Sequence, residues 1–149
     1  SERVDLAGVL ERRGAGPREA TADVTVKTDI DEGLPVLADE MIDDVFDNVL
    51  RNAVVHNDSD DPTVEVTAAA EGDTIRVEVA DDGPGIDEQH RDTVFRRGVT
   101  TAKGDGESGS GFGLFFVDTM VSSYDGSVWV EDNEPTGARF VFEFPHADA

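Results

Sequence analysis

A carboxylate follows an alternating apolar stretch at the point where glycines interrupt the chain. Residues 74–80 alternate with period two, which predicts a half-buried strand. Asp81 comes next, followed by a Gly-Pro-Gly turn at residues 83–85. Such a strand end delivers a fixed hydrogen-bond acceptor to the edge of a sheet, and the glycines let another molecule approach the backbone. An acceptor-only carboxylate suits an exocyclic amine, such as that of adenine. A β-turn with solvated acids explains the same residues.

Two asparagines form a second group with possible chemistry. Asn48 and Asn52, with Asp44 before them, repeat every four residues, and residues four apart are neighbours on a helix. Their amide oxygens are neutral ligands, suited to a hard cation that keeps water and phosphate oxygens as its other ligands. A solvated polar face on a surface helix is the alternative interpretation.

A glycine-rich stretch forms a third group. Residues 98–111 are poor in apolar side chains, and a loop of this length inside a compact domain is usually functional or disordered. Basic residues gather in and beside it and suggest an anion there: Arg91, Arg96, Arg97 and Lys103.

The end of that stretch opens an apolar run of helix length at residues 114–121. Glycines at 109, 111 and 113 would leave bare N–H groups at the positive end of the helix dipole, which predicts a phosphate cradle. The spacing differs from the Rossmann fingerprint, and no strand precedes it. A flexible linker would have the same composition.

The elements that must position these groups follow from periodicity. Asp39 predicts the start of a helix that runs to about residue 56, with an apolar stripe through Ile42, Phe46, Val49 and Ala53. Shorter helices are expected within residues 1–13 and 87–97. The strands are expected at residues 24–30, 36–37, 63–69, 74–80, 127–131 and 138–144. This order predicts a two-layer α/β sandwich, in which helices cover one face of a mixed, largely antiparallel sheet.

Composition limits the function classes. The 149 residues suit one domain, and the absence of cysteine excludes disulfides and thiolate metal sites. A net charge of −22, from 34 acidic and 12 basic residues, disfavours nucleic acid and anionic lipid as partners. No membrane-spanning stretch or signal peptide is visible. The scattered acids and the near absence of lysine suggest a halophilic archaeon, although an ordinary acidic protein is the alternative.

Together these stretches resemble the ATP-binding catalytic domain of sensor histidine kinases, in the group shared with DNA gyrase, the Hsp90 chaperones and MutL. Residues 47–57 resemble the N box, 81–85 the G1 box, 94–98 the F box and 109–114 the G2 box, and residues 137–145 match the closing strand. The resemblance covers residues 4–145 and implies a catalytic domain at 24–145 with a flexible ATP lid at about 87–110. Residues 1–23 would be a connector, and residues 146–149 a tail.

The resemblance implies ATP and Mg²⁺ as cofactors. Asp81 would accept from the adenine amino group, Asn52 would ligate Mg²⁺, and Asn48 and Asn52 would be the catalytic pair. The implied nucleotide site comprises Asn48, Asn52, His56, Asp81, Gly83, Gly85, Ile86, Phe95, Arg97, Thr100, Thr101, Lys103, Gly109, Ser110, Gly111, Phe112, Gly113 and Leu114.

Departures from the family pattern bear on the reaction. The ATPases of the group carry a glutamate base four residues before the metal-binding asparagine. Asn48 stands there and is a poor base, which favours transfer to a protein side chain over hydrolysis. Val55 and His56 replace a frequent lysine or tyrosine, Arg51 replaces a frequent acid, and Ala138 replaces a common threonine. The replacement by Val55 and His56 bears on a phosphate contact that the family pattern places at these two positions.

The phosphate acceptor in such kinases is a histidine on a separate helical dimerisation domain, and the three histidines here do not fit that role. The chain is therefore expected to be a monomeric fragment of a homodimeric, cytoplasmic or membrane-anchored kinase. Its partners would be that dimerisation domain and a response regulator receiver domain. Two alternatives stay open: a serine kinase of the anti-sigma type, and a non-enzymatic nucleotide-binding module with a degenerate lid.

Overall fold

The computed structural model describes residues 2–12, 24–55, 61–87, 113–134 and 136–148, with 89, 91 and 93–95. Seven strands and three helices lie within these ranges. In chain order they are β1 (Glu2–Asp5), α1 (residues 6–12), β2 (Thr25–Ile30), β3 (Pro35–Ala38), α2 (Met41–Val55), β4 (Thr63–Glu71), β5 (Thr74–Asp81), α3 (Gly113–Ser123), β6 (Ser127–Asp132) and β7 (Ala138–Pro145). No helix in these ranges has the length and apolar character needed to span a membrane.

The main sheet has five strands in the order β2-β4-β5-β7-β6. Only β2 and β4 run parallel, and the other three pairs are antiparallel. The mixed, largely antiparallel sheet expected from the sequence is confirmed. Because β5 is the central strand, its last residue, Asp81, is held between β4 and β7.

The helices form the second layer. Alternate residues of the strands point into one core, where Phe46 of α2 lies 5.0 Å from Phe142 and 6.2 Å from Phe144 of β7, measured between ring centroids. Val117 and Val121 of α3 are fully buried in the same core. The two-layer sandwich is confirmed, since α2 and α3 bury their apolar stripes against the inner sheet face.

The chain begins with a strand rather than with the helical pattern expected from residue 1. β1 pairs antiparallel with β3 in a separate two-stranded sheet, and helix α1 begins only at residue 6. Asp5 marks the change, because its Oδ1 accepts from the N–H of Ala7 at 3.1 Å and from that of Leu34 at 3.3 Å. Leu6 and Leu10 are buried in the main core, and the division of the chain at residue 23 stays a prediction.

In the described part of residues 87–97, where a short helix was expected, residue 89 lies in a 3₁₀ turn and residues 91 and 93–95 lie in other turns. The two large apolar residues of this stretch are used in packing. Val94 is buried, and Phe95 packs edge-on against Phe140 at a centroid distance of 6.0 Å. These two residues are apolar because they pack against the core, so their presence does not require an amphipathic helix.

Candidate functional site

Asp81 lies at the end of the central strand and is only 9% exposed. Its Oδ1 accepts hydrogen bonds from the backbone N–H of Gly83 at 3.0 Å and of Ala138 at 3.2 Å. Among the described residues, Oδ2 accepts no hydrogen bond. Burial raises the pKa of Asp81, and the two backbone donors oppose that rise. The carboxylate is therefore locked in orientation, with one oxygen left for a ligand.

A small, open cleft, called the cavity below, lies against that carboxylate. The described residues that line it are Asn52, Asp81, Pro84, Gly85, Ile86, Ala138 and Phe140. Most of this lining is apolar, and Asp81 provides the charged acceptor. A largely apolar cleft with a few fixed polar groups suits a flat heterocycle that carries an amine.

The turn between β6 and β7 supports Asp81 from behind. Asn133 Nδ2 donates to the backbone carbonyl of Asp81 at 2.8 Å, and Thr136 Oγ1 donates to that of Asp82 at 3.3 Å. Arg139 donates to Asn133 Oδ1 at 3.3 Å, which orients the amide. Sequence reasoning gave no role to Asn133 or Thr136, because both lie more than 50 residues from the carboxylate in the chain.

Gly137 permits this close approach. Its φ is +110°, and a Cβ built there would overlap the carbonyl oxygen of Asp81. The glycine at the start of the closing strand was part of the sequence match, but its physical reason is visible only in the packed structure.

Gly137→Ala is expected to lower the free energy of unfolding by about 2 kcal/mol or more, because the added methyl group meets fixed backbone and φ is unfavourable. Binding in the adjoining cavity, where the resemblance implies ATP, should fall as well, since Asp81 must shift. Gly72→Ala is the matched control. Gly72 also has a positive φ, +64°, but a Cβ there meets nothing within 4 Å. This variant should cost about 1 kcal/mol and leave binding unchanged. Chemical denaturation and calorimetry measure both, and equal losses of binding would contradict the prediction.

Helix α2 brings the two asparagines to the site. Asp39 caps it, because its Oδ1 accepts from the N–H of Met41 at 3.0 Å, as the sequence predicted. Asn52 lines the cavity beside Asp81. One turn earlier, Asn48 Nδ2 donates to the carbonyl of Asp44 at 2.7 Å. Its Oδ1 lies 3.1 Å from where a Cβ of Gly113, the first residue of α3, would stand. Asn48 therefore faces the N-terminus of α3.

Arg91, one of the predicted basic residues, contacts an acid within the protein. It forms an ion pair with Asp132 at the end of β6, so it is engaged within the protein. The expectation that Arg91 belongs to a basic cluster facing an anion stays a prediction. Arg96, Arg97 and Lys103 lie outside the described residues.

The structure brings together half of the predicted nucleotide-binding set. Asp81, Asn52, Gly85 and Ile86 line one cavity. Gly83 donates a backbone hydrogen bond to Asp81, and Phe95 packs on Phe140, which lines the cavity. Gly113 adjoins Asn48, and Leu114, the next residue of α3, is buried. The predicted residues outside the described part are His56, Arg97, Thr100, Thr101, Lys103, Gly109, Ser110, Gly111 and Phe112. Sequence reasoning missed Pro84, Phe140 and the direct contact of Ala138, although residues 137–145 had been matched as a strand.

Comparison with known proteins decides the family. Residues 38–148 match the family of histidine kinase-, DNA gyrase B- and HSP90-like ATPases. The chain belongs to this family. It is 34% identical over 105 residues to the sensor histidine kinase DpiB of Escherichia coli K12, covering 70% of this chain and 18% of DpiB. It therefore spans less than a fifth of that relative.

Solved structures of kinases in this family have the same fold. The mycobacterial sensor histidine kinase MprB is similar with a TM-score of 0.88 and 27% identity, and 97% of each chain is covered. Full-length ShkA in complex with AMPPNP is similar with a TM-score of 0.79 and 31% identity, covering 98% of this chain and 31% of that one. The resemblance to the sensor kinase catalytic domain is confirmed. The halophilic origin stays a prediction.

The donor set of this ATPase domain fits a magnesium ion. Asn52, whose side chain carries a neutral amide, lines the cavity, and the amide oxygen of Asn48 lies beside the first residue of α3. A site with so few protein ligands suits Mg²⁺, which dehydrates reluctantly and keeps water and phosphate oxygens in its shell. The amide oxygens would be ligands without adding charge to a domain that is already strongly acidic.

The raised pKa of Asp81 predicts how stability depends on pH. A carboxyl group whose folded pKa exceeds its unfolded value of 3.8 binds its proton more readily in the folded state. The wild-type ATPase domain should therefore gain stability relative to Asp81→Asn as pH falls from neutral through the folded pKa of Asp81, and the gain should be complete near the unfolded pKa. Denaturation of both proteins along a pH series measures the difference. A difference that does not change with pH would contradict the prediction.

Proposed function

We propose that this chain is the catalytic domain of a two-component sensor histidine kinase. It would bind ATP with Mg²⁺ and transfer the γ-phosphate to a histidine on a separate helical dimerisation domain. One observation carries the proposal: an oriented, buried carboxylate and the asparagine of an N-box helix line the same cavity. Family membership and the likeness to DpiB and to AMPPNP-bound ShkA support it.

Each described group has a task in this proposal. Asp81 Oδ2 would accept from the adenine amino group, while Ile86 and Phe140 enclose the ring. Asn52 would hold Mg²⁺, which supplies positive charge to the phosphates. The N–H groups at the start of α3 would face the phosphates with the positive end of the helix dipole. Phosphoryl transfer depends chiefly on positioning and charge neutralisation, which this set provides.

Asn48 favours transfer to a protein side chain over hydrolysis. An amide has no basic site to take a proton from water, and here its nitrogen is already bonded to the carbonyl of Asp44. The acceptor histidine would be supplied by the dimerisation domain. A response regulator receiver domain would then take the phosphate. The full-length kinase would be a homodimer, either cytoplasmic or anchored to the membrane.

Two steps test the proposal. Calorimetry in molar KCl should show Mg²⁺-dependent binding of ATP to this chain. A histidine-bearing helical dimerisation domain, added with radiolabelled ATP, should then become labelled at an acid-labile, base-stable phosphohistidine. Label on serine would favour the anti-sigma type of kinase, and binding without any transfer would favour a non-enzymatic module. Folded protein that binds no ATP would refute the proposal.

A further inference from the structure

Helices α2 and α3 run antiparallel and meet at both ends of α3. At one end Gly113 adjoins Asn48, in the middle of α2. At the other end, the hydroxyl of Tyr124, just after α3, donates a hydrogen bond to the carboxylate of Asp39, just before α2. Asn48 and Gly113 belong to the phosphate half of the proposed nucleotide site. Tyr124 and Asp39 lie roughly 15 Å away along the helices, at 1.5 Å per residue, and touch no proposed ligand group.

The contact between Tyr124 and Asp39 is short and largely enclosed. The hydroxyl oxygen lies 2.6 Å from Asp39 Oδ1, and Tyr124 is 7% exposed. Burial and the hydrogen bond to the carboxylate raise the pKa of Tyr124, so the hydroxyl stays protonated and remains a donor. The same Oδ1 caps α2 through Met41. One oxygen atom therefore ties the start of α2 to the end of α3.

The backbone around Tyr124 is fixed independently of that bond. Gly126 N–H donates to the carbonyl of Val121 at 2.9 Å and Asp125 N–H to that of Ser122 at 3.0 Å, with Asp125 at φ 63°, which is a Schellman ending. A Cβ on Gly126 would stand 2.7 Å from the carbonyl oxygen of Glu143, so the helix end is pressed against β7. The tyrosine ring therefore projects from a rigid anchor.

We propose that Tyr124 is a positioning residue, which sets where the N-terminus of α3 lies relative to Asn48 and Asn52. Because the end of α3 is anchored on β7, the remaining freedom is a shift of α2 along α3, which would move Asn48 and Asn52 relative to the start of α3. The hydrogen bond from Tyr124 to Asp39 prevents that shift. The inference rests on the proposed function, because it concerns the half of the site that would hold the triphosphate and Mg²⁺.

Tyr124→Phe tests the role, since it removes one hydroxyl and keeps the ring. With Mg²⁺ present, the Kd for ATP should rise about fivefold, while that for adenosine changes less than about twofold, because Asp81 and its cavity are unaffected. Calorimetry with ATP, and displacement titrations with adenosine, give the two values. Ser123→Ala is the matched control: its hydroxyl donates to Met120 within α3 and does not reach α2. Both affinities should stay at the wild-type values.

Variants of Asp39, which accepts the hydrogen bond from Tyr124, supply a second test that does not depend on the stability of Tyr124→Phe. Asp39→Asn keeps an oxygen for Tyr124 and Met41 and should bind ATP as the wild type does, whereas Asp39→Ala should repeat the selective loss. Equal ATP affinities of wild type and Tyr124→Phe would overturn the positioning role, as would equal losses for ATP and adenosine. A wild-type protein that binds no ATP would instead refute the proposed function.

Discussion

Asp81→Asn is expected to weaken ATP binding about 100-fold while leaving the fold intact. The asparagine oxygen can still accept from the N–H groups of Gly83 and Ala138, so its NH₂ group takes the place of Oδ2. Two donors would then face each other where the adenine amine needs an acceptor. The loss of the charged acceptor, together with two buried N–H donors left without acceptors, costs about 2–3 kcal/mol of binding free energy.

Stability distinguishes this effect from damage to the fold. The free energy of unfolding of Asp81→Asn at neutral pH should equal or exceed that of the wild type, because burial disfavours the charged carboxylate that the substitution removes. Asp82→Asn removes the same charge one residue later, where Oδ1 accepts from the N–H of Thr63 at 3.0 Å. Calorimetric titration of both variants with ATP should show a large loss only at residue 81. Wild-type affinity in Asp81→Asn would remove the basis for the adenine site.

Asn52→Ala should abolish the gain in ATP affinity that Mg²⁺ provides and should slow phosphorylation of an added dimerisation domain about 100- to 1,000-fold. The substitution removes the amide that would hold Mg²⁺ at the cavity. Alanine has the higher helix propensity, so α2 itself should persist. Affinity for ATP without Mg²⁺ should change little, because Asp81 and the apolar lining remain.

Arg51→Ala is the matched control on the same helix. Arg51 is exposed and pairs with Asp47 at 2.9 Å, an i,i+4 contact that contributes about 0.3–0.5 kcal/mol at a surface. This variant should keep the magnesium dependence. Titrations with ATP at graded Mg²⁺ concentrations, with a chelator as the zero point, give the comparison. A full magnesium response in Asn52→Ala would place the ion elsewhere.

Local sequence patterns were sufficient to predict those helices and strands whose conformation depends on residues close by in the chain. Alternation over residues 74–80 gave the strand that ends at Asp81, and spacing of four gave Asn48 and Asn52 a common helix face. The same approach failed at residues 2–5, because Val4 and Leu6 fit a helical stripe as well as a strand followed by a helix. Pairing of β1 with β3, 30 or more residues away, decided between them.

The sequence by itself determined which residues can carry the chemistry and which elements hold them, because helix and strand periodicity act over a few residues. Only the tertiary structure decided how those elements meet. It brought Ala138 to Asp81 across 57 residues and Tyr124 to Asp39 across 85. It also paired Arg91 with Asp132 and left no room for a Cβ at Gly137 beside the Asp81 carbonyl. Such contacts depend on packing and register between distant segments, for which a single chain carries no local signal.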